Sequence, residues 1–363
     1  MSNAIEHFSR CRVEDTTLQV MADLQRDLDR LIHEEKSVIR HYVRLGNWPH
    51  KRVNMFVLEN LQPLAAQIKG ATKLSSVIAN DIDRRPMVNV YDAADLSECA
   101  VFVNRGALER DGVWNDDVAL RALLAHEHGH PLAENETVQV ARELSVEVKV
   151  EGRAPTAAVG PILDLLADRL CVHAPQEVFA NELAIRAGFA DALFHLDKDV
   201  IDKARSSVSG RPSLVQSLEQ QASERKLSVD EAAALLLVGD LQAHLSFALE
   251  TAPFLRAGHR QQAEALEAAL IEGVLSHLDP AVAPLYEKLR DHYLQLRTDL
   301  TAAEMKAWSS EALGYLADAL QERHLRVRFA LIRTRSGAEP RRHSRTRRAS
   351  IVHSSIGHDG GLS

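Results

Sequence analysis

The chain has 363 residues, 45% of them hydrophobic and 26% charged, with a formal net charge of −8. These proportions exclude a collagenous or wholly disordered chain and suit a globular protein of one large domain or two modest ones. Cys11, Cys99 and Cys171 are odd in number, far apart and without a CxxC pair, which argues against a disulfide framework or a cysteine zinc site.

Three reduced thiols in a cytoplasmic protein are the expectation. The first residues lack a basic segment followed by an apolar run, so no signal peptide is expected. Nor does any stretch read as a membrane span: the most apolar, residues 232–238, stops at Gly239 and Asp240.

In chain order, residues 13–45 read as a long helix, with Leu18, Met21, Leu24, Leu28, Leu31 and Ile32 on one side and charges elsewhere. Gly46-Asn47-Trp48-Pro49 ends it. Further helices are expected over residues 53–68 and 74–82, making residues 1–85 an N-terminal helical segment that covers a core or pairs with a partner. Residues 86–91 and 99–103 are β-prone and flank a polar turn, which predicts a hairpin. An exposed strand edge there offers an extended peptide a place to pair; the alternative is a hairpin that only packs.

Residues 123–130 read Leu-Leu-Ala-His-Glu-His-Gly-His, an HExxH motif. Residues four apart share a helical face, so His126 and His130 can point at one metal ion with Glu127 beside it. His128, two residues along, turns to the far side and is a poor ligand candidate. In a chain with 17 histidines such a string also arises by accident, so its surroundings carry the weight. Trp114-Asn115-Asp116-Asp117 supplies an N-cap and acids for a first turn, and Val118, Leu120, Leu123 and Leu124 form an apolar stripe. Pro131 is expected to end the helix at His130.

A catalytic zinc normally takes a third protein ligand. Residues 134–150 are ambiguous between helix and strand, residues 152–161 read as a breaker-rich loop, and residues 162–172 form a helix carrying Asp164 and Asp168. After Pro175 a helix places Glu177, Asn181, Ala184 and Gly188 along one face, where small residues permit close approach to the motif helix. Asp168 and Glu182 compete with Glu177 for the third position.

An HExxH helix preceded by a hairpin and followed by E-x-x-A-N/D-x-x-A-x-x-x-G-aromatic resembles the gluzincin metallopeptidases, especially the CaaX-prenyl-protease-like and heat-shock-membrane-protease-like family. The Glu-x-x-Ala-Asn portion is also similar to soluble metallopeptidases that act on phage or stress repressors. The resemblance covers residues 86–196, about a third of the chain. It implies a zincin-like metallopeptidase core over residues 86–200 in a mainly α chain with a small β-hairpin or sheet. It also implies one zinc ion per chain, held by His126, His130 and Glu177. Glu127 would be the general base of peptide-bond hydrolysis, and Asn181 would accept the other ring N–H of a ligand histidine. Zinc would lower the pKa of its water to about 7 from about 15.7. Most members of the first family span a membrane, which this chain is not expected to do, so a membrane-protein substrate does not carry over. The rival expectation is a catalytically silent metal-site protein acting as a regulatory or interaction module. His195, His259, His292 and Tyr293 are available to steady an oxyanion, and nothing in the sequence selects among them.

Residues 201–322 read as a helical lobe, with amphipathic helices over 232–249, 261–278 and 303–320 and breaks at Pro253, Pro280 and Pro284. From Arg323 onward the composition turns basic, with ten arginines against two acids, which leaves about −16 on the rest. Residues 323–363 are therefore expected to be a disordered tail, with an anionic partner as the weaker alternative. Peptide or protein is the expected substrate, and the oligomeric state is not legible.

Overall fold

The structure, a computed structural model, describes residues 5–69, 79–82, 85–151 and 156–333. It is mainly helical, with one small mixed sheet and one two-stranded ribbon.

The N-terminal segment is where the expected and observed structures differ most. Strands β1 (His7–Val13) and β2 (Thr16–Ala22) precede helix α1 (Gln25–Leu45), and strand β3 (Arg52–Leu58) precedes helix α2 (Gln62–Lys69). Two predicted helices therefore each begin with a strand. Leu18 and Met21 fit a helical spacing, but Leu18, Val20 and Ala22 also recur at every second position, and in β3 Val53, Met55 and Val57 do the same; all six are fully buried while the residues between them are only half-buried. The period of two prevails because both strands find partners. Most of the expected helix over residues 74–82 lies outside the described residues; residues 79–82 are helical.

The hairpin is present as β4 (Met87–Asp92) and β5 (Asp95–Asn104), paired antiparallel. It completes a five-stranded sheet of order β1-β2-β3-β5-β4, in which β2, β3 and β5 run parallel. The boundary drawn at residue 85 thus falls inside one sheet, and β4 is one of its two edge strands. Side chains alternate between two faces. One packs Phe56, Leu58, Val88 and Phe102 with Leu61, Ala65 and Ile82 into a small cluster. The other carries Met55, Met87, Tyr91, Cys99 and Val101 into the main core beneath α1.

After β5 come α3 (Arg105–Arg110), the motif helix α4 (Asp117–Leu132), α5 (Glu136–Arg142) and strand β6 (Leu144–Glu151). Helix α6 (Thr156–Ala167) contains Pro161, so most of the expected loop over residues 152–161 is helical where described; a π-helical turn, Asp168–Val172, follows it. Helix α7 (Ala174–Ala184) begins at the expected proline, and α8 (Ala190–Val208) continues it through a second π-helical turn, Ile185–Phe189.

The remaining helices are α9 (Arg211–Ser223), α10 (Val229–His244), α11 (Ala248–Arg256), α12 (Arg260–Gly273), α13 (Val282–Leu294) and α14 (Ala302–Gln321). Helices α10 and α14 each start with a capping box, Ser228/Glu231 and Thr301/Glu304. Pro253 lies within α11 rather than breaking it. The run Val229–Arg256 is long and apolar enough to cross a membrane by length and composition, a feature the shorter stretch 232–238 did not reveal; its most apolar window is 67% buried within the fold.

The expected tail also needs correction. Residues 326–333 form β7 (Arg326–Arg333), antiparallel to β6, with Val327, Phe329 and Leu331 half-buried against the main core and Arg326, Arg328, Ala330 and Ile332 on the exposed face. Alternation lets a basic segment bury one face. The arginine run at 341–348 lies outside the described residues.

Candidate metal centre

Helix α4 starts where expected: the Asp116 side chain accepts from the backbone N–H of Val118 and Ala119. It does not end at His130, however, but runs through Pro131 to Leu132. A proline in a helix removes the hydrogen bond to the carbonyl four residues back, here that of Glu127. The Asn89 side chain, reaching from β4, supplies a donor to that carbonyl at 3.2 Å. A group on the sheet thus compensates for Pro131 and ties the motif to β4.

Helix α7 lies unusually close to α4. A Cβ on Gly129 would sit 2.5 Å from the Ala180 carbonyl oxygen, a contact side chains do not make. Only glycine allows this approach, and it brings Glu177 and Asn181 opposite His126. His126 Nε2 is 3.2 Å from His130 Nε2 and 3.6 Å from Glu177 Oε2. Donors bound at about 2.0–2.1 Å to one tetrahedral ion lie about 3.3–3.4 Å apart. The observed spacings bracket that value, and the three donors form one buried group with relative exposures of 1%, 0% and 6%. Two imidazole nitrogens and a carboxylate oxygen in this arrangement fit a zinc-type cation.

The tautomer of His126 follows from its partner. Asn181 Oδ1 accepts from His126 Nδ1–H at 2.6 Å, which leaves the Nε2 lone pair facing the other donors. The Asn181 amide is oriented in turn by α11, since its Nδ2 donates to the Leu249 carbonyl at 3.4 Å and to Glu250 Oε2 at 3.5 Å. Burial, then the neighbouring His126, Arg85 and Arg142, hold His130 well below its ordinary pKa, so it is neutral and able to donate a lone pair. Glu127 Oε2 accepts from the backbone N–H of Asn89 at 3.2 Å.

The other candidates are engaged elsewhere. Glu182 pairs with Arg186 and Arg256, and Asp168 with His173. His195 bonds the N-cap residue Asp116, His259 bonds Gln262, His292 bonds the Trp308 carbonyl, and Tyr293 donates to the Leu170 carbonyl. None of these six belongs to the donor group.

Sequence reasoning missed Asn89, Leu249 and Glu250, which act through backbone atoms or across long sequence separations. It also missed a polar group beside the centre, where Tyr91 donates to Glu134 at 2.7 Å and Arg142 pairs with the same carboxylate. His128 does point away from the centre: its Nε2 donates to Glu35 Oε1 at 2.6 Å. Pro131 was the available signal for Asn89, because an interior proline leaves a carbonyl that needs a donor.

Comparison with protein-family models, with curated proteins and with solved structures finds no match to this chain.

Proposed function

We propose that this chain is a zinc-dependent metalloendopeptidase with a zincin-like core, similar in its site to the gluzincins. The observation that carries the reading is the convergence of His126, His130 and Glu177 from two helices at tetrahedral spacings, with Asn181 orienting the first histidine. A zinc ion, when bound, supplies Lewis acidity, polarising a scissile carbonyl and making water acidic enough to attack at neutral pH.

The chain's own groups do the rest. Glu127 takes a proton from the attacking water and returns it to the leaving amine nitrogen. The Asn89 N–H holds Oε2 of that carboxylate in place. β4 is an edge strand, so an extended peptide added along the part of that edge not covered by the motif helix would run past Glu127.

Burial of all three donors and of Glu127 favours a second reading, a closed metal site serving an interaction module. Zinc content and peptide-library cleavage, measured in wild type and Glu127→Gln, separate the two. Retained zinc with cleavage lowered about 10²- to 10⁴-fold is the expected result. Zinc-loaded wild type that cleaves nothing in the library overturns the peptidase reading in favour of the module.

A further inference from the structure

On the opposite side of α4 lies a second cluster that the peptidase reading does not use. His50, in the segment before β3, Cys99 on β5 and His128 on α4 bring one donor atom each to within 4.8 Å of one another, and all three are buried. Each imidazole gives one ring N–H away, as ligand histidines usually do; the other nitrogen of His50 is left without a partner, while that of His128 has only a long contact, 3.5 Å, from the Asn89 amide. His50 donates Nδ1–H to the Leu96 carbonyl, and His128 donates Nε2–H to Glu35. His50 Nε2 is then a buried acceptor, on a residue 2% exposed, with no hydrogen-bond partner.

Two further unsatisfied atoms lie on the residues that bound the cluster. They are Glu35 Oε2 and Asn89 Oδ1, both buried and without a hydrogen-bond partner. Such atoms are rare in folded proteins, and each one calls for an explanation. Glu35 is fully buried, and a carboxylate out of water is costly unless positive charge is near it. Trp48 covers the site, its ring centroid 4.7 Å from that of His50 and 5.1 Å from that of His128.

We propose that His50, Cys99 and His128 form a second, structural metal site for a thiolate-binding ion of the zinc and copper class. Two imidazoles and a thiol are a softer donor set than two imidazoles and a carboxylate, and they select such ions over calcium or magnesium. On binding, the Cys99 S–H proton would leave to solvent as the sulfur–metal bond forms, while His50 would bind through its unpartnered Nε2 and His128 through Nδ1, which gives up its 3.5 Å contact with the Asn89 amide. The ion clamps the sheet to the back of the motif helix. Asn89 connects the two sites, since its backbone N–H bonds Glu127 and its side-chain amide lies 3.5 Å from His128 Nδ1. This site stands or falls independently of peptide hydrolysis.

The test is a cobalt(II) titration of the metal-stripped, reduced full chain, reading the near-ultraviolet thiolate-to-cobalt charge-transfer band. The site predicts that band in wild type and in Cys11→Ser/Cys171→Ser, where Cys99 is the sole thiol and the cluster is untouched. His126→Ala keeps it, and Cys99→Ser loses it together with one of two bound cobalt ions. Displacement of the cobalt by zinc identifies a zinc site, and displacement by cuprous ion alone a copper site. No band in wild type, or a band that Cys11→Ser/Cys171→Ser abolishes, overturns the proposal without reliance on a variant that alters the core.

Discussion

The two sides of the motif helix hold histidines in different company. His126 and His130 face α7, where the nearest carboxylate, that of Glu177, is positioned as a third donor. His128 faces α1 and the sheet, where the carboxylate of Glu35 takes the ring N–H and a thiol completes the group. One helix therefore presents imidazoles to a harder and a softer environment, and the elements packed against it decide which. Burial keeps one imidazole on each side neutral: His50 is pushed down to about 4 and His130 well below its ordinary value. A histidine's chemistry here is set by what the fold places opposite it, and little of that appears in the motif string.

The largest expected effect separates the two sides outright. His126→Ala removes a donor from the α7 side, so peptide hydrolysis falls below detection while the cobalt–thiolate band remains. Loss of both signals would mean that the two clusters are one cooperative unit.

Acid comes next. Burial pushes His50 and His244 down to about 4, so on unfolding each regains its ordinary affinity for a proton. The unfolded chain binds more protons between about pH 6.5 and pH 4, and stability falls as pH drops through that window. The loss is up to about 3 kcal/mol per histidine. Urea midpoints measured with a chelator present should follow this trend, and His244→Leu should remove its own share of the slope while leaving that of His50.

Gly129→Ala tests the close approach on the α7 side. Alanine favours a helix by about 1 kcal/mol over glycine, but its Cβ would meet the Ala180 carbonyl at 2.5 Å. Backbone has to move, so a net destabilisation of about 1–3 kcal/mol is expected in urea unfolding. Zinc affinity should weaken with it, because Glu177 rides on the displaced helix. The smallest effect belongs to Asn181→Ala, which leaves every donor in place but frees the His126 ring, for a loss of about 10- to 100-fold in zinc affinity by competition titration. Asn181→Asp, which keeps an acceptor there, should retain affinity.

What was legible in the sequence follows the same division. The helix start at Asp116, the hairpin strands β4 and β5, and the face shared by Glu177 and Asn181 are all local signals, and the structure has each of them. Strands β2 and β3 were hidden because their apolar residues satisfy helical and alternating spacings at once, and pairing partners decide between these. The continuation through Pro131 depends on an amide 42 positions earlier in the chain. Glu35, His50 and Cys99 gave no signal, since a lone acid on a helix, a histidine in a loop and a cysteine on a strand acquire meaning only once they are packed together. The same holds for β7, where basic composition concealed the alternation of Val327, Phe329 and Leu331.

The most direct measurement is an anomalous-scattering map from zinc-soaked crystals of Cys99→Ser, which removes the softer site from consideration. The account predicts one peak about 2.0–2.2 Å from His126 Nε2, His130 Nε2 and a Glu177 carboxylate oxygen. No peak among those three atoms, or a zinc ion bound by the two histidines with Glu177 turned away, would contradict it.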